Sequence, residues 1–334
     1  MNKLTALPKA RAIKRGQAMF IFAGRFSVMG LKSYLKTIMN MLPYVKGLYR
    51  QQLWYQKNSC YPPGHFYSTI PDIAELKKRE PQIWKDTGSN RIPGINLHAD
   101  EQLHLALALG RYYNEMPFTP EKKEGLRYYF ENDLYSYTDG ITLYGMLRYL
   151  QPKNIIEAGS GFSSALMLDT NERFFGNEIK FTFIEPYPAR LYSLINEKDK
   201  ANTTILEKNI QDVPVEYFQK LEAGDILFVD SSHVVKTGSD VHYILFEILP
   251  ALKPGVYIHF HDIFYPFEYP KEWVYKGRNW NEDYFVKAFL MYNGSFRIKY
   301  FAHYLHTHHK DVFKDMPLCY KNTGGNLWIE KLSE

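Results

Sequence analysis

From Lys153 onward the chain alternates short apolar runs with longer stretches of mixed polarity. The runs are Ile155-Ile156, Lys180–Ile184, Thr203–Leu206, Ile226–Val229 and Val256–Phe260, and most end in an acid or a histidine-acid pair: Glu157, Glu185, Asp230 and His261-Asp262. Short runs rich in β-branched and aromatic residues read as strands buried on both faces, the pattern of a parallel sheet. The stretches between them, Ala165 to Thr170 and Ser239 to Leu252, read as helices. Regular alternation of this kind predicts an α/β, doubly wound, mostly parallel sheet. Phe296–Tyr304 and Asn326–Glu330 add two closing strands, for seven in all, with a polar loop from Leu305 to Gly325 between them. Upstream, Glu75–Lys85 and Asn96–Asn114 read as helices, and Thr138 or Asp139 caps a helix over Gly140–Leu150 that ends before Pro152.

The first 58 residues read as a basic, helical N-terminal extension that Pro43 interrupts, 59–134 as a cap region of helices and loops, and 135–334 as the sheet domain. Two prolines and a glycine between Cys60 and Asp72 make a fixed loop. The long aromatic segment Ile263–Trp280 reads as a lid.

Charge sharpens this division. The formal net charge is +5, yet no acidic residue precedes Asp72, so the basic excess belongs to the N-terminal arm. Ala18–Leu31 is apolar but broken by Arg25, too short to span a bilayer and followed by no clean cleavage site. A basic helix lying on an anionic membrane, or packed on the sheet domain or a second subunit, stays open, as does a homo-oligomer. Two cysteines give no disulfide framework and fit the cytoplasm. Nothing points to a nucleic-acid partner.

Candidate chemistry gathers at the strand ends. Glu157-Ala158-Gly159-Ser160-Gly161-Phe162-Ser163-Ser164 is a strand, a glycine turn and a helix start, the place where doubly wound sheets receive nucleotide-like ligands. Ser164 stands where a dinucleotide fingerprint has its third glycine. An acid before the turn, read as pointing into the crevice, suits a cationic ligand instead. Glu185 is placed to accept ribose hydroxyls, and Asp212 an adenine amino group. The three histidines His306, His308 and His309 read as part of a surface loop rather than a metal site.

This order of motifs resembles the class I S-adenosylmethionine-dependent methyltransferases, in a bacterial branch acting on small molecules and saccharides. The carriers are Glu157 to Gly161, Glu185, Gln211-Asp212 and Phe228-Val229-Asp230, and the likeness spans roughly Tyr135 to Leu332. It implies S-adenosylmethionine as cofactor, held by Glu157, Gly159, Ser160, Gly161, Ser163, Glu185, Asp212 and Asp230. A narrower likeness, to metal-assisted O-methyltransferases, implies a magnesium or manganese ion on Asp230, His261 and Asp262, with His261 where the family has an acid. It also implies His233 as base, with Asp230 and His261 beside it in catalysis. A histidine of ordinary pKa, about 6.5, would serve at neutral pH. The expected acceptor is a hydroxylated small molecule or saccharide. The competing readings are a nicotinamide-dependent oxidoreductase on the same crevice and a non-catalytic membrane or partner module.

Overall fold

A computed structural model describes residues 42–85 and 90–333. Seven strands lie in the order β3-β2-β1-β4-β5-β7-β6. They are β1 Asn154–Ala158, β2 Lys180–Ile184, β3 Thr204–Leu206, β4 Ile226–Val229, β5 Tyr257–Phe260, β6 Phe296–Phe301 and β7 Leu327–Lys331. The first five pair in parallel, and β7 runs antiparallel between β5 and β6. The expected mixed α/β sheet is therefore present. The chain leaves β1 toward β2 and β3, then returns to β4 on the other side of β1. That reversal opens a crevice at the carboxyl ends of β1 and β4, where ligands of such sheets bind.

The principal helices are α1 Pro43–Asn58, α2 Ala99–Gly110, α3 Tyr137–Leu150, α4 Phe162–Phe174 and α5 Glu282–Leu290. Two compact units divide at Ser68 and Thr69. In the first, Pro43 opens α1 rather than interrupting it, because the first helical turn needs no amide donor from proline. The arm before Leu42, including Ala18–Leu31, lies outside the described residues. No described helix is long and apolar enough to cross a membrane.

Three local expectations change in the second unit. Ser136, not Thr138 or Asp139, precedes α3. Thr138 Oγ1 instead donates within reach of the carbonyls of Cys319 (3.0 Å) and Asn322 (2.8 Å). Asp139 Oδ1 accepts from the Gly325 amide (3.0 Å) and Asn326 Nδ2 (2.7 Å). Both side chains pin the C-terminal segment against the crevice, so neither serves its own helix.

The second change lies between the last two strands. Ala302–His308 is helical, followed by turns at Lys310–Phe313 and Pro317–Lys321. Its helical spacing buries Tyr304, Leu305 and His306. His306 stacks on Phe313 at 4.1 Å, and burial pushes its imidazole down to about 4.

The third concerns the aromatic segment. Ile263, Phe264, Tyr265, Phe267 and Tyr269 are core residues, and Lys271–Tyr275 is a short helix. Phe264 and, from the later part, Trp273, Arg278 and Trp280 face the crevice.

Candidate functional site

A cavity of about 680 Å³ opens at the carboxyl ends of β1, β4 and β5. A second, of about 380 Å³, continues it past β2. Gly159, Glu185 and Asp230 line both, so the two form one elongated site.

The glycine turn is built by close approach. Gly159 has φ +82°, and a Cβ there would overlap the carbonyl oxygen of Asp230. The Asp230 amide in turn donates to the Ala158 carbonyl (2.9 Å). A side chain at Gly159 would therefore both strain the backbone and push β1 from β4.

Glu157 does not enter the cavity as expected. It is fully buried beneath the turn, accepting from Ser163 Oγ (2.5 Å) and from Ser164 Oγ. Ser164 Oγ also accepts from the Gly161 amide (3.0 Å). Burial pushes the Glu157 carboxyl up to about 8, against the pull of the two serines. The reason is geometric: residues of a strand alternate in direction, and this side chain falls on the side of the α4 amino terminus. Ser160 and Gly161 do line the cavity, as does Ser163.

Glu185 sits at the junction of the two cavities. Its Oε2 accepts from the Ser160 amide (3.1 Å) and its Oε1 from the Tyr187 amide (2.7 Å). Beyond it, Asp212 is exposed, bonded to Asn209 Nδ2 (3.1 Å), and is absent from the lining. The 3-10 turn Ile210–Asp212 rotates it outward and brings Gln211 in instead. Gln211 donates through Nε2 to the Gly238 carbonyl (3.2 Å), while its Oε1 is buried with no partner among the described residues.

The ends of β4 and β5 bring Asp230, His233, His261 and Asp262 to one wall. His233 and Asp262 both hold left-handed backbone, φ 59° and 58°, which side chains other than glycine rarely adopt. His233 is almost fully buried. Its Nδ1 meets Glu282 Oε2 at 2.8 Å, and its Nε2 lies 3.4 Å from Asp230 Oδ1 and 3.8 Å from Asp262 Oδ2. Burial alone would lower the ring, but Asp230 and Glu282 outweigh it and raise His233 well above the ordinary histidine range. The expectation of an unperturbed histidine is thus corrected. Glu282, at the start of α5, escapes sequence reasoning because it lies far along the chain; only its place in a first helical turn marks it.

The neighbouring acids divide. Burial raises both, but His261, His233 and Arg190 hold Asp230 below its usual range, whereas Asp262 stays above. His261 lies 3.4 Å from Asp262 Oδ1, and the surrounding acids raise its ring against the effect of burial. His259, two residues earlier on the same face, lies deeper in the core between Phe228 (3.9 Å) and Trp328 (4.7 Å), and burial lowers its ring well below the ordinary histidine range.

Asp230, His261 and Asp262 are not placed as metal ligands. The His233 ring, not open space, stands between Asp230 and Asp262 and supplies the positive charge there. His261 presents nitrogen where a hard ion favours oxygen. Among the described residues no three His, Cys, Asp or Glu side chains are placed to hold a metal ion.

A family model described as Methyltransferase domain matches residues 156–263, which contain the glycine turn, Glu185, Asp230 and Asp262. An uncharacterized protein of Archaeoglobus fulgidus is 35% identical over 168 residues, 50% of this chain and 76% of that protein. Two solved structures are similar at low identity. One is the O-methyltransferase TomG from Streptomyces achromogenes, involved in tomaymycin synthesis, in complex with S-adenosylmethionine. It is 13% identical, covering 78% of this chain and 96% of that one, with a TM-score of 0.39. The other is a methyltransferase from Podospora anserina bound to S-adenosylhomocysteine, 18% identical over 69% of this chain and 92% of that one, TM-score 0.37.

Proposed function

Because the chain belongs to the class I S-adenosylmethionine-dependent methyltransferases, we propose that it methylates a hydroxyl oxygen of a small molecule or sugar, with His233 as the proton acceptor. Membership of this family displaces the nicotinamide and the non-catalytic readings. S-adenosylmethionine, when bound, supplies an electrophilic methyl carbon on a positively charged sulfur.

The residues of the elongated site fit that donor. The backbone of Gly159 to Gly161 leaves room for close approach. Glu185 stands where ribose hydroxyls would need an acceptor, and the orphaned Gln211 Oε1 suits an adenine amino group better than exposed Asp212. Glu157 acts by holding the turn through Ser163 and Ser164, not by charge contact. The acids Asp230 and Glu185 favour a cation between them.

One observation carries the chemistry: Glu282 fixes the His233 ring by accepting from Nδ1, so Nε2 faces the cavity and the acids. The acids raise His233 well above the ordinary histidine range, so the ring must first lose its Nε2 proton. With Nδ1 donating to Glu282, the neutral ring then keeps its lone pair on Nε2, and turnover should rise with pH. The acceptor oxygen forms its bond to the methyl carbon, the carbon–sulfur electron pair stays on sulfur, and the hydroxyl proton passes to Nε2. Asp230 and Asp262 then stabilise the imidazolium. No step runs through a metal.

The test is His233→Gln in a screen of hydroxylated acceptors with a labelled methyl donor. The variant is expected to keep donor affinity and to lose roughly 10²–10⁴-fold in turnover, the usual worth of a positioned base. Turnover equal to wild type would refute the assignment.

A further inference from the structure

The acceptor end of the cavity carries two features that the donor does not use. At the rim, the Arg278 guanidinium stacks 4.0 Å from the Trp273 ring and 4.8 Å from the Trp280 ring. The two indoles meet edge-on at 5.6 Å, and Trp280 lies 4.3 Å from the His233 ring. Among the described residues no carboxylate pairs with Arg278, although Arg127 has three and Arg148 one. Stacking holds the planar fork in place and leaves its in-plane donors free, an arrangement suited to a carboxylate or phosphate.

On the floor, Tyr135 Oη and His261 Nδ1, and Ser231 Oγ where the two cavities meet, are buried with no partner among the described residues. Buried polar atoms are seldom left unpaired without reason. Hydroxyl groups, which both donate and accept, would satisfy all three. Asp139, Asp230 and Asp262 share this floor and would repel an anion placed there. The cavity thus carries hydroxyl-binding groups and acids inside, Arg190 beside Asp230 and the glycine turn, and the stacked Arg278 at the mouth. The Trp280 ring sets the guanidinium one aromatic layer beyond His233, so a charged group held there sits across a ring-sized spacer from the reacting oxygen.

We propose that the acceptor is an anionic polyol, a sugar bearing a carboxylate or a phosphate, whose charged group docks on Arg278 over Trp273 and Trp280 while its hydroxyls meet Tyr135, His261 and Ser231. This rests on the methyl-transfer reading above and names its substrate class. The anion contributes orientation: it admits the sugar one way round and presents one hydroxyl to Nε2.

The experiment is calorimetry on the full chain loaded with S-adenosylhomocysteine, wild type and Arg278→Gln, titrated with glucose, glucuronate and glucose 6-phosphate. At least one anionic sugar should bind wild type about tenfold or more tighter than glucose, and Arg278→Gln should erase that preference, consistent with a charge-assisted pair. Preference for glucuronate identifies a carboxylate ligand, and preference for glucose 6-phosphate a phosphate. Equal affinity for all three sugars, or a preference that survives Arg278→Gln, overturns the proposal. Failure of wild type to bind S-adenosylhomocysteine would instead refute the donor site on which the proposal rests, and the two failures are read from separate titrations.

Discussion

Glu157→Gln separates a structural carboxyl from a ligand-binding one. The group is fully buried, and its carboxyl rises from 4.5 to about 8. Below pH 4.5 the folded and unfolded chains both hold the proton. Above it the unfolded chain releases a proton that the folded chain keeps until about pH 8, so stability is lost as pH rises through this window. Between about pH 5 and about pH 8 that loss integrates to roughly 3.5 kcal/mol. Glutamine is neutral throughout and can still bond both serines, one through its oxygen and one through its amide nitrogen. Urea unfolding of wild type and variant at the two pH values reads the difference. Wild type should lose roughly 3.5 kcal/mol more than Glu157→Gln, and the variant should keep donor affinity within about twofold. Parallel losses, or a large loss of donor affinity in the glutamine variant, would refute the reasoning, since the second result would mean that the charge of Glu157 touches the ligand.

Two further outcomes are expected. Arg127 joins Asp169 (2.6 Å), Asp199 (2.7 Å) and Glu172 (2.9 Å) in a largely buried cluster, and Arg127→Leu leaves the Asp169 charge buried with only the backbone amides of residues 127 and 128 to meet it. It should cost about 3–5 kcal/mol in urea unfolding, and a loss below about 1 kcal/mol would show the cluster to be peripheral. Titration with manganese or magnesium chloride should give no saturable heat below about 1 mM, because His233 occupies the space between the acids; one-to-one binding abolished by Asp262→Asn would contradict this.

Much of the frame was legible because each strand is a short apolar run closed by a polar residue, so β1 to β5 and the order of their ends follow from pattern alone. Glu185 and Asp230 were legible for the same reason, since strand ends in a parallel sheet face one crevice. What pattern could not supply was rotation and distance. Glu157 and Asp212 are acids at the right positions along the chain, yet one turns under the glycine loop and the other out to solvent. Gln211 gains its place from a single 3-10 turn. Glu282 meets His233 only through tertiary packing, and with it the raised pKa of that histidine. Thr138 and Asp139 look like caps locally because nothing local reveals that Asn322 to Asn326 will need their oxygens.

The central claim is that Glu282 and Asp230 orient His233 and raise its ring, so that it acts as a base through Nε2 once that nitrogen has lost its proton above the ordinary histidine range. The most direct measurement is an NMR pH titration of selectively labelled histidine rings, with His233→Gln assigning the signal and Glu282→Gln as the perturbation. The account predicts that His233 titrates well above the ordinary value of about 6.5, holds its neutral-form proton on Nδ1, and shifts downward in Glu282→Gln. A ring that titrates at or below the ordinary value, or is indifferent to Glu282→Gln, would contradict it.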